Sequence, residues 1–150
     1  MTAADFVFER QELVRFGHCD PAGIVFYPRY FEMLNALVED WISQGLGVDY
    51  AQLLGPRRVG LPSVRLVADF KRISRMGDVL RQRVAISRLG RTSLALNISF
   101  EGEDGQRVAF EQVLVCTSLE THKPQAFPDD LRAALEQCAA GVQAHDNKQQ

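Results

Sequence analysis

The 150-residue chain is short of most features that would place it in a specialised class. Its three cysteines, Cys19, Cys116 and Cys138, are odd in number and form no C-x-x-C pair, which argues against a disulfide framework and a zinc ribbon. The three histidines, His18, His122 and His145, fall at no metal-ligand spacing, so no metal is expected. Neither a Walker A run nor a G-x-G-x-x-G segment occurs, which leaves no phosphate cradle of either type. An excess of positive charge is also missing. Seventeen Lys and Arg face nineteen Asp and Glu for a formal net charge of −2, and bulk nucleic-acid binding is not expected from that balance. No apolar run approaches the ~20 residues a bilayer span needs. The start, Met1-Thr2-Ala3-Ala4-Asp5, has no basic segment followed by an apolar one of the kind that directs export. The expectation is a soluble, cytoplasmic protein with reduced thiols and no membrane association.

What is present suits one globular domain over residues 1–150. Hydrophobic residues make up 46% and charged residues 24%, ordinary values for such a domain. A chain of this length can bury roughly two-thirds of its unfolded surface. The core is expected over about residues 6–140, with a polar, frayed tail beyond Gly141. Residues 6–16 are rich in aromatic and β-branched side chains and read as a first strand. The period then changes: Tyr30, Phe31, Met33, Leu34, Leu37, Val38, Trp41 and Ile42 recur at helical spacing over 29–44, covering so much of the helix that other structure should wrap most of it. Gly45 and Gly47 end this helix. Glu32, Asn35, Glu39 and Ser43 share its polar face. A short helical piece lies near 50–54. Strands follow over 61–72, 78–89, 92–100 and 107–119, joined by turns such as Gly90-Arg91 and Gly102-Glu103-Asp104-Gly105. A last helix opens at Pro128-Asp129-Asp130-Leu131. One strand, a long helix, then four strands without βαβ alternation argue an antiparallel sheet packed on a helix, α+β in class.

The chemistry concentrates in Val14-Arg15-Phe16-Gly17-His18-Cys19-Asp20-Pro21-Ala22-Gly23-Ile24-Val25-Phe26-Tyr27-Pro28-Arg29-Tyr30. Asp20-Pro21-Ala22-Gly23 has the composition of a tight turn that holds the Asp20 carboxylate locally. Asp20 can serve catalysis there or simply cap the turn. Pro28 suits the first helical position. Backbone N–H groups near Tyr27 are then left at the positive end of the helix, where an oxygen gaining charge would be stabilised. His18, two residues from Asp20, would share its side in an extended segment and could position a water or share a proton, or only pack. Cys19 would point away, and inert packing is its ordinary role.

Phe16-Gly17-x-Cys19-Asp20-Pro21-Ala22-Gly23-Ile24-Val25-x-Tyr27-Pro28 resembles the signature of hotdog-fold thioesterases of the 4-hydroxybenzoyl-CoA thioesterase type, and a weaker likeness extends from Val14 to Thr121. His18 departs from the pattern, since the best-known member carries an acid there, which leaves the substrate open. The resemblance implies a hotdog fold, an antiparallel five-stranded sheet curled around a long central helix, assembled as a homodimer or homotetramer with sites between subunits. It implies hydrolysis of an acyl-CoA thioester, with Asp20 as nucleophile or general base and the Tyr27 backbone N–H polarising the carbonyl. A second branch of the fold carries its carboxylate on the central helix, which makes Glu39 an auxiliary candidate beside His18. Coenzyme A enters as substrate, no cofactor is implied, and an acyl carrier protein is an alternative thioester donor. Arg72, Arg75, Arg88 and Arg91, with Lys71 and Lys123, are candidates for its phosphates, since guanidinium groups fit phosphate oxygens. Solvated strand-end charge is their other reading. Phe26, Tyr30, Leu61 and Val64 are expected to border an acyl pocket. Two rival functions remain at this point: a hotdog dehydratase or isomerase, and a non-catalytic acyl-thioester-binding protein.

Overall fold

The computed structural model describes residues 6–146, and side chains as far as Gly141. Strand β1 (Phe6–Leu13) leads through a 3-10 turn (Phe16–His18) to helix α1 (Pro28–Asp40). Short elements α2 (Tyr50–Leu54) and β2 (Val59–Gly60) precede strands β3 (Ser63–Phe70), β4 (Val79–Leu89), β5 (Ser93–Gly102) and β6 (Gly105–Val115). Strand β7 (Thr117–Ser118) and helix α3 (Asp129–Asp146) complete the order. The main sheet is antiparallel with strand order β1-β4-β5-β6-β3, and β2 pairs with β7 in a two-stranded ribbon.

Helix α1 packs through Tyr30, Met33, Leu34, Leu37 and Val38 into one core with Leu80, Val84, Leu96, Ile98, Phe100, Val108 and Phe110 of the sheet. Phe31 reaches the same sheet, its ring 5.9 Å from that of Phe110. The burial is wide, and other structure covers the helix on all but one face. Glu32, Asn35 and Glu39 stay exposed along one polar face, as their spacing of three and four requires. The helix ends in a π-helical turn (Trp41–Gly45), with Leu46 N–H donating to Trp41 O at 2.8 Å. Gly45 is needed there, because a Cβ would lie 2.7 Å from the buried Trp41 ring.

Several boundaries differ from those read in the sequence, each for a reason of bonding. The first strand stops at Leu13, because residues 16–18 fold into the 3-10 turn. The strand expected to reach Leu119 ends at Val115: Val115 N–H turns to Pro62 O, Cys116 N–H turns to Thr92 O, and residues 117–118 join β2. The link from β3 to β4 is no short turn. Residues 71–78 carry the chain across the whole sheet, from one edge strand to the neighbour of the other. Helix α3 continues past Gly141 to Asp146, anchored by buried Leu131 and Leu135. The expected tail 147–150 and the start 1–5 lie outside the described residues. Among those residues no helix is long and apolar enough to cross a membrane.

Strand β3 is an edge. Paired only with β6, it leaves Val64, Leu66 and Phe70 exposed, an apolar row that soluble proteins usually cover or charge.

Candidate active site

The segment between β1 and α1 folds as a small ladder of its own. Val14 is buried and fixed at both its backbone groups, its N–H donating to Asp78 O at 2.8 Å and its carbonyl accepting from Gly77 N–H at 2.8 Å. Cys19 then faces Val25, with Phe26 N–H donating to His18 O at 2.9 Å and Asp20 N–H to Ile24 O at 3.0 Å. The far side of this narrow hairpin pairs with the 71–78 link: Ile24 bridges Arg75, and Val25 N–H donates to Ser74 O at 2.9 Å.

Asp20 sits at the hairpin tip. Its Oδ1 accepts from Ala22 N–H at 2.9 Å, and its carbonyl from Gly23 N–H at 2.9 Å. Gly23 has φ +78°, a backbone that only glycine adopts without cost. Among the described residues no donor meets the second carboxylate oxygen. The half-exposed side chain borders an apolar surface cavity of about 400 Å³ with Phe16, Cys19, Pro21, Gly23 and Met76.

Tyr27 caps α1 with helical dihedrals, and Pro28 follows at the first helical position. Tyr27 O accepts from Tyr30 N–H at 3.1 Å, while its own N–H meets no acceptor among the described residues. That donor stands at the positive end of a 13-residue helix, a natural place for developing negative charge. The Tyr27 ring lines a neighbouring concavity of about 290 Å³ with Ile24, Val25, Tyr30, Phe70 and Arg72. Phe70 collects three aromatic neighbours there: Tyr27 at 6.1 Å, Tyr30 at 5.9 Å and Phe31 at 6.3 Å. Burial pushes the Tyr30 phenol above its ordinary pKa, opposed by Ser74 and the charge of Arg107. The structure therefore brings Asp20 and Tyr27 onto one hairpin and helix start. In the single chain they border adjoining hollows rather than one closed pocket.

His18 does not stand beside Asp20 on an extended strand. The residue closes the 3-10 turn, where its Nδ1 accepts from Arg15 N–H at 2.9 Å. Cys19 Sγ lies 3.6 Å from Arg15 O. Glu32 pairs with Arg29 at 2.9 Å on the surface.

Glu39 lies elsewhere, beside a polar cavity of about 300 Å³ lined by Asn35, Glu39, Tyr50, Leu61, Ser63 and Gln112. Gln112 is buried; its Nε2 donates to Ser63 Oγ at 2.8 Å while its Oε1 has no partner among the described residues. Tyr50 has its pKa raised by burial and by the charge of Glu39. Sequence reading missed Tyr50, Ser63 and Gln112 as site residues. Gln112 stands in a strand where every second residue faces inward, so a glutamine at an inward position was the available signal. The expected acyl pocket is thus divided. Tyr30 lines the aromatic hollow, Leu61 the polar one, and Phe26 and Val64 are exposed.

Nor do the four arginines gather in one chain. Arg72 and Arg75 belong to the link before β4, Arg88 and Arg91 to its far end, and an 11-residue strand separates them by roughly 30 Å. Arg72 leans on Asp104, with 3.6 Å between charges. Among the described residues no carboxylate pairs with Arg75, Arg88 or Arg91. No group of three His, Cys, Asp or Glu side chains there is placed to hold a metal ion.

A five-stranded antiparallel sheet laid on a central helix, with an aspartate turn feeding the helix start, defines a hotdog-fold enzyme of the thioester-hydrolase class. The chain belongs to the thioesterase-like superfamily, whose pattern it matches over residues 14–135. It is 29% identical over 126 residues to the 1,4-dihydroxy-2-naphthoyl-CoA hydrolase of Thermosynechococcus vestitus, covering 83% of this chain and 86% of that one. A 4-hydroxybenzoyl-CoA thioesterase from Pseudomonas sp. (strain CBS-3) shares 34% identity over 84 residues, 55% of this chain and 60% of its own. The solved structure of a gentisyl-coenzyme A thioesterase superposes with a TM-score of 0.76 at 24% identity, covering 85% of this chain and 98% of the other.

Proposed function

We propose that this protein hydrolyses aromatic acyl-CoA thioesters, with Asp20 as the catalytic carboxylate and the Tyr27 N–H as the donor to the thioester oxygen. The observation that carries the reading is a locally held carboxylate with one oxygen free, followed at the end of its hairpin by a helix-start N–H with no acceptor, both among the described residues. Asp20 supplies either the nucleophile or the general base. As base it takes a proton from water, whose oxygen adds to the carbonyl carbon while the carbonyl oxygen gains negative charge beside Tyr27. The carbon–sulfur bond then breaks, and the proton leaves with the coenzyme A thiol. As nucleophile it adds to the carbonyl carbon, the carbon–sulfur bond breaks with loss of the coenzyme A thiolate, and water opens the resulting acyl anhydride to the free acid, its proton passing to the thiolate. Neither route uses a cofactor.

Aromatic acyl groups suit the ring-lined hollow formed by Tyr27, Tyr30 and Phe70, and the names of the relatives run the same way. Strand β3 supports a homodimer as the working form. Antiparallel pairing of this open edge with its copy covers Val64, Leu66 and Phe70. It also sets position 70 of one chain near position 63 of the other. The aromatic hollow of one protomer then meets the polar cavity of its partner, where Asn35, Tyr50, Ser63 and Gln112 are suited to a ring hydroxyl. Arg75, Arg88 and Arg91, exposed and without a carboxylate partner among the described residues, are left for phosphates at the surface.

The test is a hydrolysis panel: benzoyl-, hydroxybenzoyl-, dihydroxynaphthoyl-, medium- and long-chain acyl-CoAs, and a carrier-protein thioester. Release of free thiol, fastest for a hydroxylated aromatic acyl-CoA, is the expected result. Hydration or isomerisation without thiol release would support the dehydratase reading, and binding without turnover the non-catalytic one.

A further inference from the structure

Arg107 of β6 is a cation the thioesterase reading leaves unused. Its side chain is only 8% exposed, and a guanidinium so enclosed needs its donors matched by fixed acceptors. Nε donates to Asp104 Oδ1 at 2.7 Å; Nη1 donates to Asp78 Oδ2 at 2.8 Å, Ile73 O at 3.0 Å and Ser74 Oγ at 3.1 Å. The guanidinium lies against Gly102, the last residue of β5, where a Cβ would run into it. The Arg107 carbonyl also accepts from Lys71 N–H at 2.8 Å and Arg72 N–H at 3.2 Å. One residue thereby holds the 71–78 link along its length.

That link is the surface on which the active hairpin is built. Ser74 O takes the Val25 N–H, Arg75 bridges Ile24, and Gly77 and Asp78 clamp Val14. Ser74 is fully buried, with the Tyr30 phenol beside its hydroxyl. Arg107 touches neither Asp20 nor Tyr27, so any effect on reaction must pass through this chain of bonds. Stability alone does not require such a group, since well-packed apolar residues often replace buried ion networks without loss.

We infer that Arg107, seated on Gly102, is a positioning residue for thioester hydrolysis: it locks Ile73 and Ser74, and through Val25 and Ile24 sets the spacing between the Asp20 carboxylate and the Tyr27 N–H. The inference rests on the roles proposed for Asp20 and Tyr27. Displacements near 1 Å far from the reacting atoms are enough to cost on the order of 10²-fold in rate.

Three variants test it. Arg107→Lys keeps the charge but not the fork; Gly102→Ala displaces the guanidinium and deletes no bonding group; Ser74→Ala removes one acceptor and is the mildest should the others fold poorly. Each is measured for kcat and KM on the aromatic acyl-CoA the wild type hydrolyses fastest, and for amide hydrogen exchange at Val25 and, as sheet control, Ile98. Expected are a rise of about tenfold or more in Val25 exchange with Ile98 unchanged, and kcat down about tenfold in Arg107→Lys and Gly102→Ala and about threefold in Ser74→Ala, with KM within about twofold. Lower thermal stability with wild-type kcat and Val25 exchange would reduce Arg107 to a structural role and overturn the inference. A change in either readout without the other also overturns it, because the route through Val25 requires both. Asp20→Asn separates the two proposals: it should lose turnover with Val25 exchange unchanged, and retained turnover in that variant counts against the Asp20 role by itself.

Discussion

Two aspartates in this molecule occupy similar turns and end in opposite states. Asp20 opens one tight turn and Asp78 closes another, each holding a glycine with positive φ, Gly23 at +78° and Gly77 at +94°. Asp78 Oδ2 accepts from both Arg107 Nη1 at 2.8 Å and Arg75 N–H at 2.9 Å. Those donors hold its carboxyl below the usual carboxylate range, with the Arg107 hydrogen bond the leading cause. Asp20 accepts one backbone N–H on one oxygen, and its side chain borders an apolar hollow with no cation paired to it among the described residues. A carboxylate tied through one oxygen to both a buried cation and a backbone N–H is committed to structure. One with an oxygen free beside a substrate-sized space keeps room for a reacting atom.

The contrast is tested most severely at Asp20. Asp20→Asn keeps size and turn bonding but removes the charge, so kcat should fall by about 10²-fold or more while thermal unfolding stays near wild type. A folded variant with near wild-type single-turnover rates would move attention to Glu39.

The next effect concerns assembly. Leu66→Glu on the open β3 edge should convert dimer to monomer in light scattering and lower activity about tenfold or more, since each site is proposed to be completed across that edge. A wild-type protein that is monomeric at micromolar concentration would already defeat this part.

Asp78→Asn should do the reverse of Asp20→Asn. It leaves Arg107 short of a charged partner, and for a carboxylate about a third exposed the loss is about 1–3 kcal/mol of stability. Any loss of kcat should be smaller than that in Asp20→Asn. Chemical denaturation alongside turnover distinguishes the two aspartates directly.

Smaller changes are expected at the phosphate candidates. Arg88→Ala and Arg91→Ala should raise KM for acyl-CoA a few-fold and leave kcat nearly unchanged, because such contacts are equal in ground and transition states. An unchanged KM in both removes them from the coenzyme A site.

The last effect is a pH dependence. Asp78 and Asp104 are lowered by Arg107, and Asp130 by Arg57. Carboxylates with depressed folded pKa contribute stability that is fully present above their unfolded value of about 3.9 and is lost as pH falls through the folded value. Melting temperature should therefore decline below about pH 4, and less steeply in Asp78→Asn, as differential scanning calorimetry can show.

Much of this was legible in residue order. The Asp-Pro-Ala-Gly turn, Pro28 at the helix start and the polar face of Glu32, Asn35 and Glu39 depend on local dihedrals and helical period, which neighbouring residues dictate. His18 was misplaced because an extended segment was assumed where Arg15 N–H draws its imidazole into a 3-10 turn. Glu111 and Gln112 are consecutive residues of one strand, so they face opposite sides, yet only the sheet decides that Glu111 meets solvent and Arg65 while Gln112 turns inward to Ser63.

By itself, then, the sequence determined the α+β class, the helix and its two faces, and the tight turn at Asp20, because each follows from contacts a few residues long. Tertiary structure alone decided that 71–78 crosses the sheet, that Arg107 is buried beneath it, and that Asp78 is spent on that cation while Asp20 is left free. Those outcomes join residues 29 to 36 positions apart, and the sheet order that brings them together leaves no trace in local spacing.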